Sequence, residues 1–107
     1  MRLLFVCSRN RLRSPTAEAV FSVYAGVEAM SAGISAEAET RVSADLIEWA
    51  DVVLVMEKVH RRKLNEHFKP QLKAKKLVVL DIRDDYGFMD PELVRILKMK
   101  VPRCVDL

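Results

Sequence analysis

The feature that most constrains the fold of this chain is a set of four short apolar runs, separated by segments whose apolar residues recur with helical spacing. Residues 3–6 form a uniformly apolar run without alternation, which is typical of a strand buried on both faces. The other predicted strands cover residues 27–31, 51–56 and 77–81. Strands that alternate with helices predict right-handed βαβ units, and therefore a three-layer α/β/α fold with a four-stranded parallel sheet.

Helix starts are marked by capping residues. Ser14 followed by Pro15 predicts a helix that runs to about residue 25 and stops at Gly26. Ser43 is expected to cap a brief helix through residue 50, and Asp90 followed by Pro91 repeats the capping signal for the last helix. An exposed helix is predicted over residues 57–68, where His60 and His67 are expected on a solvated face.

Composition bounds the class of protein. The chain has 107 residues, of which 50% are apolar, so residues 1–107 are expected to form one domain with a single core. A net charge of +3 gives no reason to expect nucleic acid as a partner. We expect a cytoplasmic protein without a membrane partner, because no signal peptide or membrane-length apolar run is present. Cys7 and Cys104 lack the spacing of metal ligands, so neither a metal nor another cofactor is expected.

The segment from Cys7 to Ser14 connects the first predicted strand to the first predicted helix. A sharp loop there points backbone N–H groups inward, and the helix amino terminus adds partial positive charge, so the loop is suited to hold an anion. Arg13 supplies a planar fork for two phosphate oxygens. The same positive field favours the thiolate form of Cys7, which can then act as a nucleophile on phosphorus.

These residues closely resemble the low-molecular-weight protein tyrosine phosphatase family, whose signature is Cys-x5-Arg-Ser-Pro followed by a small residue and Ala-Glu. The chain carries Cys7, Asn10 and the run Arg13-Ser14-Pro15-Thr16-Ala17-Glu18. The resemblance implies hydrolysis of phosphate monoesters of the phosphotyrosine type through a cysteinyl-phosphate. It also implies that Cys7 is the nucleophile, Arg13 the phosphate binder, Ser14 the hydroxyl donor to the thiolate and Asn10 the brace of the loop.

The resemblance also implies where substrate binds. The expected substrates are a phosphorylated protein or a small phosphate ester, and inorganic phosphate, sulfate or vanadate is expected at the loop. Tyr86 is the candidate for stacking on an aryl ester. The remaining predicted substrate-binding residues all lie in the loop: Ser8, Arg9, Asn10, Arg11, Leu12 and Ser14.

The sequence offers four candidates for the general acid. The family places an Asp at the start of an Asp-Pro-Tyr stretch after the fourth strand, and the matching stretch here begins with Asp84 and ends with Tyr86. We expect Asp84 to be the acid, with Asp85 as the alternative and Asp81 or Asp90 ranked behind them. Asp90 precedes a proline, but helix capping explains that pair better.

Three departures from the family leave other functions open. The chain is short between Gly33 and Val42, where the family builds a wall of its cleft, and Arg9 and Arg11 replace the usual Gly and aliphatic residue of the loop. Leu12 stands where many members have a second cysteine. One alternative is therefore a catalytically weak phosphate-binding or interaction module. The other is a thiol-dependent arsenate reductase, for which the distant Cys104 would have to relay a disulfide.

Overall fold

A computed structural model describes residues 1–107 and shows a four-stranded parallel sheet in the order β2-β1-β3-β4. The strands are β1 (Arg2–Cys7), β2 (Glu28–Gly33), β3 (Val52–Val55) and β4 (Lys76–Val79). The helices are α1 (Arg13–Phe21), α2 (Ala44–Trp49), α3 (Lys58–Leu72) and α4 (Pro91–Cys104). The three-layer α/β/α fold predicted from the sequence is confirmed. None of the helices combines the length and the apolar character that crossing a membrane requires.

Strand β1 lies in the middle of the sheet and is buried on both faces. Its alternate residues Leu3 and Phe5 pack into one core cluster with residues of α1 and α4. Leu4 and Val6 point to the other face and join a second cluster with residues of α2 and α3. The unbroken apolar run that predicted a central strand therefore serves two cores at once.

Two of the predicted helix caps are confirmed, and the third is wrong. Ser43 Oγ accepts a hydrogen bond from Leu46 N, and an Asp90 carboxylate oxygen accepts one from Glu92 N. Helix α1, however, begins at Arg13 and ends at Phe21, so Ser14 lies inside the helix rather than at its cap. Its hydroxyl faces the buried side chains of the loop instead. Helix α3 continues past Phe68, whose backbone is non-helical, to Leu72.

The short segment between Gly33 and Val42 packs directly against the loop that follows β1. Three backbone hydrogen bonds join them: Ile34 N to Cys7 O at 3.0 Å, Ser35 N to Ser8 O at 2.8 Å, and Glu39 N to Arg9 O at 3.2 Å. Gly33 lies where the segment and the loop approach each other closely, and an added Cβ there would lie 2.6 Å from both Ser8 O and Ala38 Cβ. The absence of a side chain at this position allows the segment to support the loop.

Replacing Gly33 with alanine should therefore destabilise the protein by about 2–3 kcal/mol, because the new methyl group meets backbone atoms that cannot rotate away. Gly87→Ala is the matched control, since an added Cβ there meets nothing within 4 Å. We expect it to change the free energy of unfolding by less than about 0.5 kcal/mol. Urea denaturation of the two variants measures the difference, and equal midpoints would show that the contact at Gly33 is not tight.

Candidate active site

An open cavity of about 630 Å³ lies at the carboxyl end of β1. Because β1 has β2 on one side and β3 on the other, chain connections leave this point in opposite directions, which is where ligands bind in open α/β sheets. The predicted nucleophile, arginine and acid all contribute to the cavity wall. The lining consists of Cys7, Ser8, Arg9, Arg11, Leu12, Arg13, Ser35 and Asp84.

Cys7 is held in a buried hydrogen-bond chain. Its Sγ lies 2.8 Å from Ser14 Oγ, and that hydroxyl also lies 3.0 Å from Asn10 Oδ1. Asn10 adopts left-handed backbone geometry with φ of 55°, which asparagine tolerates better than most residues. The single proton of Ser14 can go to Asn10 when Cys7 is a thiol, or to Cys7 when it is a thiolate. The chain therefore accommodates both protonation states of the sulfur without moving a heavy atom.

Arg13 carries a buried charge, since its side chain is only 4% exposed. Its Nη1 donates to Glu57 Oε2 and to Ile82 O, both at 2.7 Å. Its Nε lies 3.5 Å from Asp84 Oδ1. Buried guanidinium groups require such partners, because an unpaired charge in the interior costs several kcal/mol. The segments after β3 and β4 thereby meet the loop after β1.

His60 also reaches the loop and is fully buried, at 1% exposure. With Glu57 it forms the capping box of α3, in which Glu57 N donates to His60 Nδ1 at 3.0 Å. Its Nε2 lies 3.0 Å from Ser8 Oγ. Burial, helped by the nearby Arg13 charge, lowers the pKa of His60 to about 4. The expectation of a solvated histidine is wrong for His60, whereas His67 is exposed as predicted.

The four candidate acids occupy different surroundings. Asp84 lines the cavity, while the side chain of Asp85 pairs with Arg83 at 2.7 Å on the surface. Asp81 lies on the exposed turn that follows β4, with φ of 57°, and Asp90 caps α4. Of the four carboxylates, the structure brings only Asp84 to Cys7 and Arg13.

Hydrogen bonds at both ends hold the loop that carries Asp84. Lys100 of α4 donates from Nζ to Leu80 O at 2.9 Å and to Asp81 O at 3.0 Å, where the loop begins. Met89 N donates to Thr16 Oγ1 of α1 at 2.9 Å, where the loop ends. Tyr86 packs against the core and lines a separate depression with Ile96 and Met99, so the structure does not place it on the cavity wall as predicted.

Comparisons with known proteins agree with this fold. Residues 2–49 match the family model of low molecular weight phosphotyrosine protein phosphatases. The arginine phosphatase YwlE from Geobacillus stearothermophilus shares 27% identity and superposes with a TM-score of 0.74 over 91% of this chain and 88% of its own. Residues 2–49 thus resemble the low-molecular-weight phosphatase family, and the whole chain shares the fold of the arginine phosphatase YwlE. Comparison with curated protein sequences gives no match.

Two further structures share the fold of this phosphatase. The tyrosine phosphatase Wzb from Escherichia coli K30, in complex with phosphate, has 19% identity and a TM-score of 0.75, covering 95% of this chain and 94% of its own. A YwlE mutant with a phosphorylated active-site serine has 23% identity and a TM-score of 0.72, covering 98% of this chain and 100% of its own. Family members of this type are cysteine-dependent phosphatases, which is the enzyme class expected from the sequence.

The second cysteine of this phosphatase lies far from the loop. Cys104 is the last residue of α4. Its carbonyl oxygen accepts a hydrogen bond from Lys76 Nζ at the amino end of β4, whereas Cys7 ends β1 at the opposite edge of the parallel sheet. Both thiols are free. The structure therefore gives no support to a disulfide relay between them.

Three residues near the loop were not singled out as site residues by the sequence: Ser35, Glu57 and His60. Glu57 and Ser35 each follow a strand by two residues, at the edge where parallel strands carry their sites. That position is a signal that sequence reasoning can use. The helical spacing between His60 and His67 predicted that both lie on one exposed face. That prediction fails because the first turn of α3 packs against the loop, which buries His60 and leaves His67 in solvent.

Replacing Glu57 with glutamine should lower the free energy of unfolding by about 1–2 kcal/mol, because the buried Arg13 loses its charged partner. Glu66→Gln removes a carboxylate from an exposed pair with Arg62, at 3.8 Å, and should cost less than about 0.5 kcal/mol. Denaturant titrations at neutral pH compare the two variants. A loss for Glu57→Gln no larger than that of the control would contradict the importance of the buried pair.

The buried histidine also predicts a pH dependence of stability. Unfolded His60 takes up a proton below about pH 6.5, whereas folded His60 stays neutral down to about pH 4. The unfolded state therefore binds more protons in this window, and stability should fall as the pH is lowered from about 6.5 to about 4. His60→Asn should show a flatter profile than the wild type, while His67→Asn should keep the wild-type slope. Identical profiles for all three proteins would show that His60 does not resist protonation.

Proposed function

We propose that this protein hydrolyses phosphate monoesters of the phosphotyrosine type through a cysteinyl-phosphate intermediate. The observation that carries the proposal is that Cys7, Arg13 and Asp84 line one cavity at the amino terminus of α1. These three side chains supply a nucleophile, a phosphate-binding cation and a proton donor, which is the set that displacement at phosphorus requires.

Binding of the phosphoryl group comes first. Backbone N–H groups at the start of α1 and the guanidinium of Arg13 attract the dianion, which places phosphorus next to Cys7 Sγ. Arg9 and Arg11 are exposed at the cavity mouth and add positive charge toward an anionic substrate. The phosphate bound to Wzb supports the same type of ligand here.

In the first chemical step, the Cys7 thiolate attacks phosphorus and an S–P bond forms while the ester P–O bond breaks. The leaving oxygen takes the proton of the Asp84 carboxyl, so that an alcohol or phenol departs. The conformation of the loop changes little in this step, because backbone hydrogen bonds from residues 33–42 support it. The YwlE mutant with a phosphorylated active-site serine supports a covalent phosphoenzyme in this fold.

In the second step, the Asp84 carboxylate removes a proton from a water molecule, whose oxygen attacks phosphorus. The S–P bond breaks, inorganic phosphate leaves, and the thiolate is regenerated beside the Ser14 hydroxyl. Asp84 is suited to both steps because its side chain is 63% exposed at the cavity and can reach solvent water.

A second candidate substrate is phosphoarginine, on which YwlE is named as acting. The cavity lining contains no aromatic side chain, so an aryl group would not be held by stacking, and this weakens the preference for phosphotyrosine over a non-aromatic leaving group. A cytoplasmic location belongs to the same proposal, because a free thiolate nucleophile persists in a reducing compartment.

Steady-state cleavage of p-nitrophenyl phosphate across pH tests the mechanism. We expect Cys7→Ser to abolish turnover and Asp84→Asn to lower kcat by about 10²–10³-fold, because the leaving oxygen then receives no proton. Asp85→Asn is the matched control, since Asp85 pairs with Arg83 outside the cavity, and it should stay within about twofold of the wild type.

The outcomes separate the alternatives. Full activity of Asp84→Asn with loss in Asp85→Asn would overturn the acid assignment. A wild type that binds inorganic phosphate but never releases nitrophenol would overturn the enzyme proposal and favour a phosphate-binding module. Parallel assays with phosphotyrosine and phosphoarginine peptides decide the substrate, and faster cleavage of the P–N bond would replace phosphotyrosine by phosphoarginine.

A further inference from the structure

The hydrogen bonds of His60 determine which ring nitrogen carries its proton. The backbone N–H of Glu57 can only donate, so His60 Nδ1, 3.0 Å away, must be the acceptor. In a neutral imidazole the proton then lies on Nε2. Nε2 is 3.0 Å from Ser8 Oγ, so the ring donates to the serine oxygen. The capping box of α3 thereby fixes the direction of a hydrogen bond in the phosphate loop, 52 residues away in sequence.

Ser8 follows the nucleophile directly and contributes to two adjoining cavities. One is the catalytic cavity with Cys7 and Arg13, and the other is a groove of about 330 Å³ that also includes Ser35, His60 and Lys63. Because Ser8 Oγ already accepts the His60 proton, its own proton remains available for an acceptor in the catalytic cavity. The acceptor that the cavity is built to hold is an oxygen of the phosphoryl group.

We propose that Ser8 donates a hydrogen bond to a phosphoryl oxygen of the bound substrate, and that neutral His60 is the positioning residue that directs this donation from the first turn of α3. The proposal rests on the proposed phosphatase function and adds a specific donor to the phosphate site. It also gives the buried histidine a role toward the substrate that a helix cap alone does not require.

The charged groups around His60 come from every segment that meets at this point. Arg13 of α1 and Lys63 of α3 disfavour a second proton on the ring, while Glu57 before α3 and Asp84 after β4 favour one. Desolvation adds to the effect of the two cations and outweighs that of the two carboxylates, so the imidazole stays neutral near pH 7. A protonated ring could not accept from Glu57 N, and both the cap and the orientation of Ser8 would be lost together.

Two substitutions of His60 separate its two contacts. An asparagine amide oxygen can replace Nδ1 and keep the cap, but it is too short to reach Ser8. A glutamine amide nitrogen can replace Nε2 and keep the donation to Ser8, but it leaves Glu57 N without its acceptor. Affinity for inorganic phosphate, measured by calorimetry at pH 7 on the full chain, reports the loop without requiring turnover.

We expect Ser8→Ala and His60→Asn each to weaken phosphate binding by about tenfold, and the double variant to be no weaker than either single one. His60→Gln should retain more phosphate affinity than His60→Asn while unfolding at a lower denaturant concentration. His67→Asn, at an exposed position of the same helix, should bind phosphate as the wild type does. Nitrogen chemical shifts of His60 should show a proton on Nε2.

Phosphate affinity of Ser8→Ala within twofold of the wild type would overturn the proposal, and so would losses of affinity that add in the double variant. The proposal would also be wrong if phosphate affinity followed stability across the two His60 variants, or if the proton of His60 lay on Nδ1. Failure of the wild type to cleave p-nitrophenyl phosphate would instead contradict the proposed function, and it would leave the comparison of phosphate affinities intact. The two failures are therefore distinguishable.

Discussion

The structure of the site depends on the burial of one charge, the guanidinium of Arg13. A cation that is 4% exposed needs acceptors, and the protein draws them from Glu57 after β3 and from the carbonyl of Ile82 after β4. Both acceptors reach Arg13 only when β3 lies in register beside β1 and β4 lies in register beside β3. The arginine therefore links the loop after β1 to the completed sheet. A loop of this sequence without the sheet would hold neither the charge nor the geometry.

The first turn of α3 extends this dependence to the other end of the loop. Glu57 and His60 form the capping box of α3. The side chain of Glu57 also accepts a hydrogen bond from Arg13, and that of His60 bonds to Ser8, so the two contacts lie near opposite ends of the loop. Helix α3 is thus fixed by the loop as much as the loop is fixed by the helix. The backbone hydrogen bonds from residues 33–42 complete the support from a third direction. This short segment is sufficient for the purpose, because it acts through main-chain atoms where Gly33 approaches the loop closely.

Much of this could be predicted from the sequence, and the failures have a common cause. Strand burial and the helix caps at Ser43 and Asp90 depend on neighbouring residues, so the local sequence pattern predicted them correctly. Ser14 looked like a cap by the same rule, but its hydroxyl is used by Cys7 and Asn10, a tertiary demand that overrides local preference. The partners of Arg13 and Ser8 lie 44 and 52 residues away, and no spacing within the chain specifies such contacts. Tyr86 was misplaced for a related reason, because its side chain packs into the core rather than toward the cavity.

In the proposed mechanism, the arrangement around Arg13 also connects phosphate binding to the candidate acid Asp84. Nη1 is occupied by two short hydrogen bonds, whereas Nε has only a 3.5 Å contact with Asp84 and Nη2 has no partner within the protein. In the proposed mechanism a phosphoryl group binds the guanidinium in a bidentate manner, and Nε and Nη2 are the pair of donors that remains for it. Under that proposal, substrate binding competes with Asp84 for Arg13, so the proposed acid and the proposed phosphate site share one guanidinium.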